Sequence, residues 1–376
     1  MKKAVVSFVA LVCIFIGNKI VAQAADKNAT KETKNLLFNL KRILHKGILF
    51  GHQDDLAYGV GWKYEPGKSD VREVTGEYPG LYGWDFSGVE KENPVLNIDG
   101  VSFNKMRDFI KAGYQRGGVI TISWHLDNPL TGKNAWDTTH GGVIAALPGG
   151  SAHNKYTAWL DRVADFSLSL RGSKNELIPV LFRPFHELTG NWFWWTKNTC
   201  SAEEFKRLWK FTVDYLRDKK KVHNFIYVYN TANFNSRDEF LERYPGKEYV
   251  DMISFDDYQS NDPTKDNSFV KGLSFKLSML DSLAVELDKI PALGETGYEA
   301  IPYPEWWTKI LWKTISPHPL SYVLLWRNHG LQNNGHMHYY VPFRGQVSEN
   351  DFKKLYRYEK VFFESKTRQQ NLYESP

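Results

Sequence analysis

Leu177-Ile-Pro-Val-Leu-Phe-Arg-Pro-Phe-His-Glu187 is apolar for most of its length and turns polar at its end. Such a run reads as a strand buried on both faces, here Leu177–Phe185, with His186 and Glu187 at its carboxyl end. Working outward, the same pattern recurs at Gly47–His52, Gly80–Phe86, Val119–His125, Asn224–Tyr229, Met252–Tyr258, Ile290–Glu295 and Tyr322–Trp326. Helical patterns lie between most of them. Phe103–Arg116 carries Phe103, Met106, Phe109, Ile110 and Tyr114 at helical spacing. Ser201–Leu216 opens on Ser201-Ala-Glu-Glu204, a capping box. Phe269–Leu287 and Glu305–Ile315 also read as helices. Strands alternating with helices predict parallel βαβ units, and eight of them predict an α/β fold of the (β/α)8 TIM barrel kind. An open doubly wound sheet is the alternative. It usually carries a Gly-rich phosphate loop after the first strand, where this chain has Gly51-His-Gln-Asp-Asp55.

In such barrels the chemistry sits at the carboxyl ends of the strands. Those ends here are His52, Trp84-Asp85, Trp124-His125, His186-Glu187, Asn230, Asp256-Asp257-Tyr258, Glu295 and Trp326-Arg327. Glu187 ends the fourth strand and Glu295 the seventh, and those strands face each other across the mouth of a closed barrel. Two carboxylates flanking one bond are what glycoside hydrolysis needs, one as proton donor and one as nucleophile or base. Trp192-Phe-Trp-Trp195 follows Glu187 closely. Aromatic rings stack on the apolar C–H faces of a pyranose, while Asn, Asp, His and Arg between them serve its hydroxyls. Trp159, Trp209 and Trp312 read instead as packing between barrel and helices. His186-Glu187 fails the H-E-x-x-H zinc pattern, because Gly190 stands where the second His belongs. His336 and His338, two apart in a loop, read as exposed polar side chains rather than a metal site, and no G-x-S-x-G signals a serine nucleophile.

The chain has 376 residues, 42% of them hydrophobic and 15% aromatic, with a net charge of +5. That apolar content excludes a disordered chain, and the charge balance argues against a nucleic-acid binder. Two cysteines exclude a disulfide framework. Lys2 and Lys3, an apolar run from Ala4 to Ile16, and Val21-Ala-Gln-Ala-Ala25 predict a secretory signal peptide over residues 1–24. The run is too short to span a membrane. Residues 25–36 read as a flexible lead-in and 37–376 as one catalytic barrel. The protein is expected to be exported, to periplasm or medium, with a monomer as the default.

Phe182-Arg-Pro-Phe-His-Glu187, then Asn191-Trp-Phe-Trp-Trp195, with Gly294-Glu295 downstream, closely resembles glycoside hydrolase family 26, most of whose members are β-1,4-mannanases. The resemblance runs from about Gly47 past Arg327. The His before Glu187 is informative, since related barrel glycosidases usually have Asn there. It implies a (β/α)8 barrel and a retaining mechanism, with Glu187 as acid/base, Glu295 as nucleophile, and no metal or organic cofactor. It further implies that His186 orders hydrogen bonds beside the centre and that Tyr258 holds the nucleophile. Asp256 matches an acid two residues before that tyrosine. Trp326 resembles the floor under the reacting sugar, and Arg327 a contact to the next sugar. Trp192 resembles the platform on the leaving-group side and His125 another sugar contact; His52, Trp84 and Asp85 share the rim and are expected to bind substrate too. The expected partner is a β-mannan. A mannobiohydrolase trimming chain ends, a β-1,3-xylanase or mixed-linkage glucanase, and a non-catalytic glycan-binding protein are the other readings. The long stretch Leu126–Ala152 is able to wall off one end of the cleft.

Overall fold

The computed structural model describes residues 24–375; the predicted leader, 1–24, lies outside them except for Ala24. Eight strands, β1 (Ile48–Gln53), β2 (Leu81–Asp85), β3 (Val119–Trp124), β4 (Val180–Pro184), β5 (Phe225–Thr231), β6 (Met252–Gln259), β7 (Ile290–Tyr298) and β8 (Tyr322–Leu325), each pair in parallel with the next. β8 then pairs with β1, from Leu49–Tyr322 to His52–Leu325, and closes the barrel. The expected (β/α)8 barrel is therefore the observed fold, and the open sheet is excluded. Val361–Phe362 adds a short parallel strand beside the start of β1.

Alternation along each strand decides which side chains enter the barrel. Leu49, Leu81, Val119, Leu181, Ile226, Met252, Ile290 and Tyr322 are buried together inside it. Phe50, Tyr82, Ile120, Phe182, Tyr227, Ile253, Leu293 and Val323 face the helix layer. Each such side chain contributes about 1.5–3 kcal/mol by leaving water.

The helix Lys31–Ile43 corrects the expected lead-in over 25–36. Thr30 Oγ1 accepts from the Thr33 amide at 3.2 Å and starts it. Leu36, Leu37, Leu40 and Ile43 share one face and join the cluster inside the barrel, so the helix stoppers its amino-terminal end. Before it, the Ala25 amide donates to Asp251 at 2.6 Å and Asp26 pairs with His223 at 2.7 Å. The polar composition of 25–36 belongs to a capped and anchored helix start.

Helices Phe103–Gln115, Ala202–Asp214 and Ser268–Leu287 lie where periodicity places them, and the Ser201–Glu204 capping box is formed. The expected plain helix at 305–315 is instead a π-helical stretch, Trp306–Trp312, followed by Lys313–Ile315. Adjacent Trp306 and Trp307 are both fully buried, donating their indole N–H to Gln259 at 2.8 Å and to Ser348 at 3.0 Å. The wider turn lets both face inward. Two hairpins, Tyr58–Gly59 with Trp62–Lys63 and Gly330–Leu331 with Met337–His338, stand on the carboxyl-end rim. Among the described residues no helix is long and apolar enough to cross a membrane.

Candidate active site

The inward parity that fills the barrel with aliphatics delivers polar groups where the strands end. Leu181 is followed two residues later by Arg183, Val228 by Asn230, and Ser254 by Asp256. Between β6 and β7 the register shifts after Phe255, so that Asp256 lies beside Glu295. Glu187, Asp256 and Glu295 each bring a carboxylate oxygen within 4.8 Å of the other two. Arg183 sits among them, donating to Glu295 Oε1 at 2.6 Å and lying 3.7 Å from Asp256. Tyr258 donates its hydroxyl to the other Glu295 oxygen at 2.9 Å. Glu295 is thus held by two donors on two oxygens, which fixes its plane. Asn230 donates to Asp256 at 2.8 Å and accepts from Arg183 at 3.3 Å. Gly294 is required here, because a Cβ would lie 2.1 Å from the Asn230 amide oxygen. Burial and Glu295 push the Asp256 carboxyl well above the usual range, against Arg183 and Asn230.

Glu187 is presented by strained backbone. Phe185 and Glu187 adopt φ of 53° and 54°, left-handed values uncommon for such residues and costing of order 1–3 kcal/mol each. The Trp192 indole donates to Glu187 Oε2 at 2.6 Å. Gly190 makes room for it, since a Cβ there would come within 2.7 Å of the ring. Burial first, and then the Glu295 charge, raise the Glu187 carboxyl to about 7, while the Trp192 bond pulls it down. A trough of about 410 Å³ leads away from Glu187 past Trp192, Asn233 and Asp257, with Trp192 38% exposed along it.

A second chain of groups approaches from β2 and β3. Asp85 is fully buried and accepts four hydrogen bonds, from the amides of Ser87 and His125, the Ser123 hydroxyl and His125 Nδ1. Although burial opposes the charge, Asp85 holds His125 up to about 9. His125 Nε2 then lies 3.1 Å from His186 Nε2. Burial and the cation on His125 hold His186 well below its ordinary value, so His125 is the donor and neutral His186 the acceptor.

Three expected sugar contacts are corrected. Asp85 has no surface and is bonded to His125 instead. Trp84 has outward parity, is fully buried and stacks on Phe109 with ring centroids 5.8 Å apart. His52 also points outward; it is 1% exposed and bonded to Asp55 at 2.8 Å, where Ser69 also donates. Both of these last two hold the rim from behind. Trp326 is half-buried at the inner wall, its ring 6.4 Å from that of His125. Arg327 pairs with Asp99 at 2.9 Å. Arg183, Asp99 and Trp136 were not among the candidates, and Asn230 was marked only as a strand end. Arg183 carried a usable signal, a charge two residues past Leu181 inside an apolar strand. Trp136, 47% exposed and stacked on His125 at 5.4 Å, comes from the Leu126–Ala152 loop and no local pattern marks it.

Comparison with known proteins gives a consistent picture. The model for glycosyl hydrolase family 26 matches residues 25–300. A mannan endo-1,4-beta-mannosidase of Bifidobacterium adolescentis is 32% identical over 359 residues, covering 90% of this chain and 35% of that protein. One from Bacillus subtilis is 30% identical over 244 residues, covering 62% and 64%. The chain therefore spans between about a third and two thirds of the length of these curated relatives. Among solved structures, a GH26 beta-mannanase from Bacteroides ovatus superposes with a TM-score of 0.85 at 45% identity, covering 89% of this chain and 96% of that one. The catalytic domain of a Bacillus endo-beta-1,4-mannanase gives 0.85 at 32% identity, covering 93% and 96%.

Proposed function

Because the chain belongs to glycosyl hydrolase family 26, we propose that it is a β-mannanase that hydrolyses β-1,4-mannosidic bonds within mannan, glucomannan or galactomannan, with retention at the anomeric carbon. One observation carries the reading: Glu187 and Glu295 face each other with oxygens within 4.8 Å. Retaining hydrolysis places its carboxyls about 5–5.5 Å apart, whereas inversion needs roughly 6.5–9.5 Å to admit a water.

Glu187 is the acid. Its carboxyl, raised to about 7, is protonated in mildly acidic water and donates to the glycosidic oxygen as the bond breaks. Glu295, its plane fixed by Arg183 and Tyr258, attacks the anomeric carbon from the opposite face. The covalent sugar removes the Glu295 charge, so Glu187 loses a repelling neighbour and, now ionised, takes a proton from the incoming water. Trp192 lines the trough on the leaving-group side, and Trp326 forms the inner wall beside His125. The leader-like residues 1–24 support export, and we take the working unit as a monomer.

The test is a product time course on unsubstituted β-1,4-mannan and on mannopentaose, beside Glu295→Ala. Mixed oligosaccharides appear early from the polymer, with β-configured reducing ends by proton NMR, and turnover vanishes in the variant. Near-normal hydrolysis by Glu295→Ala would sink the assignment. Mannobiose alone from the outset would shift the reading to chain-end action on the same pair.

A further inference from the structure

Glu299 follows the end of β7, and His336 and His338 lie on the rim hairpin after β8. In sequence the two imidazoles lacked a third partner. The fold supplies it: Glu299 Oε1 lies 2.8 Å from His336 Nε2 and 2.7 Å from His338 Nδ1. All three donor atoms fall within 4.8 Å of one another. The arrangement is built from the backbone. His338 pairs with Gly330 in the hairpin, and the Gln332 amide donates to the His336 carbonyl at 2.8 Å. Residues two apart on an extended strand point to the same side, so both rings face Glu299. On the other flank the Ala300 amide donates to the Tyr339 carbonyl at 2.9 Å, locking the Glu299 loop to the hairpin one residue beyond each ligand.

We propose that Glu299, His336 and His338 form a binding site for a divalent transition-metal ion, zinc above all, which pins the rim hairpin Gly330–His338 to the loop after β7. Two imidazoles and one carboxylate with an open fourth position are a zinc ligand set. Tetrahedral bonds of about 2.0–2.1 Å put ligand atoms roughly 3.3 Å apart, so each contact need open by only about half an ångström. His336 is 51% exposed and Glu299 38%, which leaves a side for water as the fourth ligand. Nitrogen-rich donors favour zinc over calcium or magnesium, which prefer all-oxygen shells. The site lies outside the reacting pair, and its link to the cleft is mechanical. The ring of Tyr340, two residues past His338, meets that of Tyr258 at 5.7 Å, and Tyr258 holds Glu295.

The experiment is calorimetric titration of zinc chloride into the chelator-stripped, untagged protein, with thermal unfolding alongside. We expect one equivalent bound in the micromolar range and a midpoint that climbs with zinc concentration. His336→Ala and Glu299→Gln, both at partly exposed positions, should each weaken zinc at least tenfold while leaving the metal-free midpoint in place. X-ray absorption of the zinc-loaded protein should show two imidazoles in the first shell. Equal zinc affinity in wild type and both variants, absence of saturable binding, or displacement of zinc by calcium at equal concentration would each overturn the site.

Discussion

Glu187 is a carboxyl whose protonation is set by opposing neighbours, and each neighbour can be removed in turn. The Trp192 N–H favours the ionised form, so Trp192→Phe should raise the Glu187 pKa further. The acid must be protonated to work, so the basic limb of kcat/KM, expected near pH 7 for the wild type, should move to higher pH in this variant. An unmoved or lowered limb would show that the indole does not bond the acid. Glu187→Ala should cost roughly 10²–10⁴-fold on mannan, and much less on a substrate whose leaving group needs no proton, measured with an aryl mannobioside. At this scale the sequence was most informative where strand ends carry chemistry: His186-Glu187, Glu295 and Tyr258 all lie at the centre. It was least informative about which side of a strand a residue faces. Trp84 and Asp85 are neighbours, yet one turns to Phe109 and the other to His125. A single step in pleat parity separates them. Arg183 was legible by that same parity, while Trp136 depends on a loop whose path only tertiary packing determines.

Among the elements, the helix Lys31–Ile43 shows how composition misleads at a boundary. Its first half is polar and reads as a lead-in, while its apolar stripe, Leu36 to Ile43, begins where that stretch ends. The stripe fills the barrel's closed end rather than touching the cleft. Leu40→Ala should therefore lower unfolding free energy by about 2–5 kcal/mol, with kcat on mannan unchanged below the unfolding transition. Denaturant melts beside initial rates check both halves, and a loss of kcat without loss of stability would contradict the division. The strands were readable to within a few residues because double burial makes them continuously apolar. The π-helical Trp306–Trp312 was not, because consecutive buried tryptophans break the period on which helix reading depends.

For the molecule as a whole, buried titratable groups give stability a definite slope with pH. Burial raises Glu90 and Glu187 to about 7 and Asp251 to about 6, and Asp85, against burial, holds His125 up to about 9. A raised pKa in the folded state contributes stability that is complete below the unfolded value and is lost as pH climbs through the folded one. The carboxyls give up their share between about pH 4.5 and 7, and His125 between about 6.5 and 9. Below about pH 6.5 the depressed His186 opposes the carboxyls, so the clear expectation is a decline of unfolding free energy from pH 7 to 9, which Asp85→Asn should flatten by roughly 3 kcal/mol. Urea midpoints across that range give the answer; a rise toward alkaline pH would refute the assignment. One further consequence concerns architecture rather than energy. Asn39 in the plug helix donates to the carbonyls of Leu372 and Glu374, each at 3.0 Å, and Asn35 to that of Tyr373 at 2.8 Å, so both described ends of the chain meet beneath the barrel, on the face opposite the cleft. A tether, a surface anchor or an accessory module grafted at either end would hang from the underside like a stalk, leaving the mouth turned outward to meet a polymer too large to reorient.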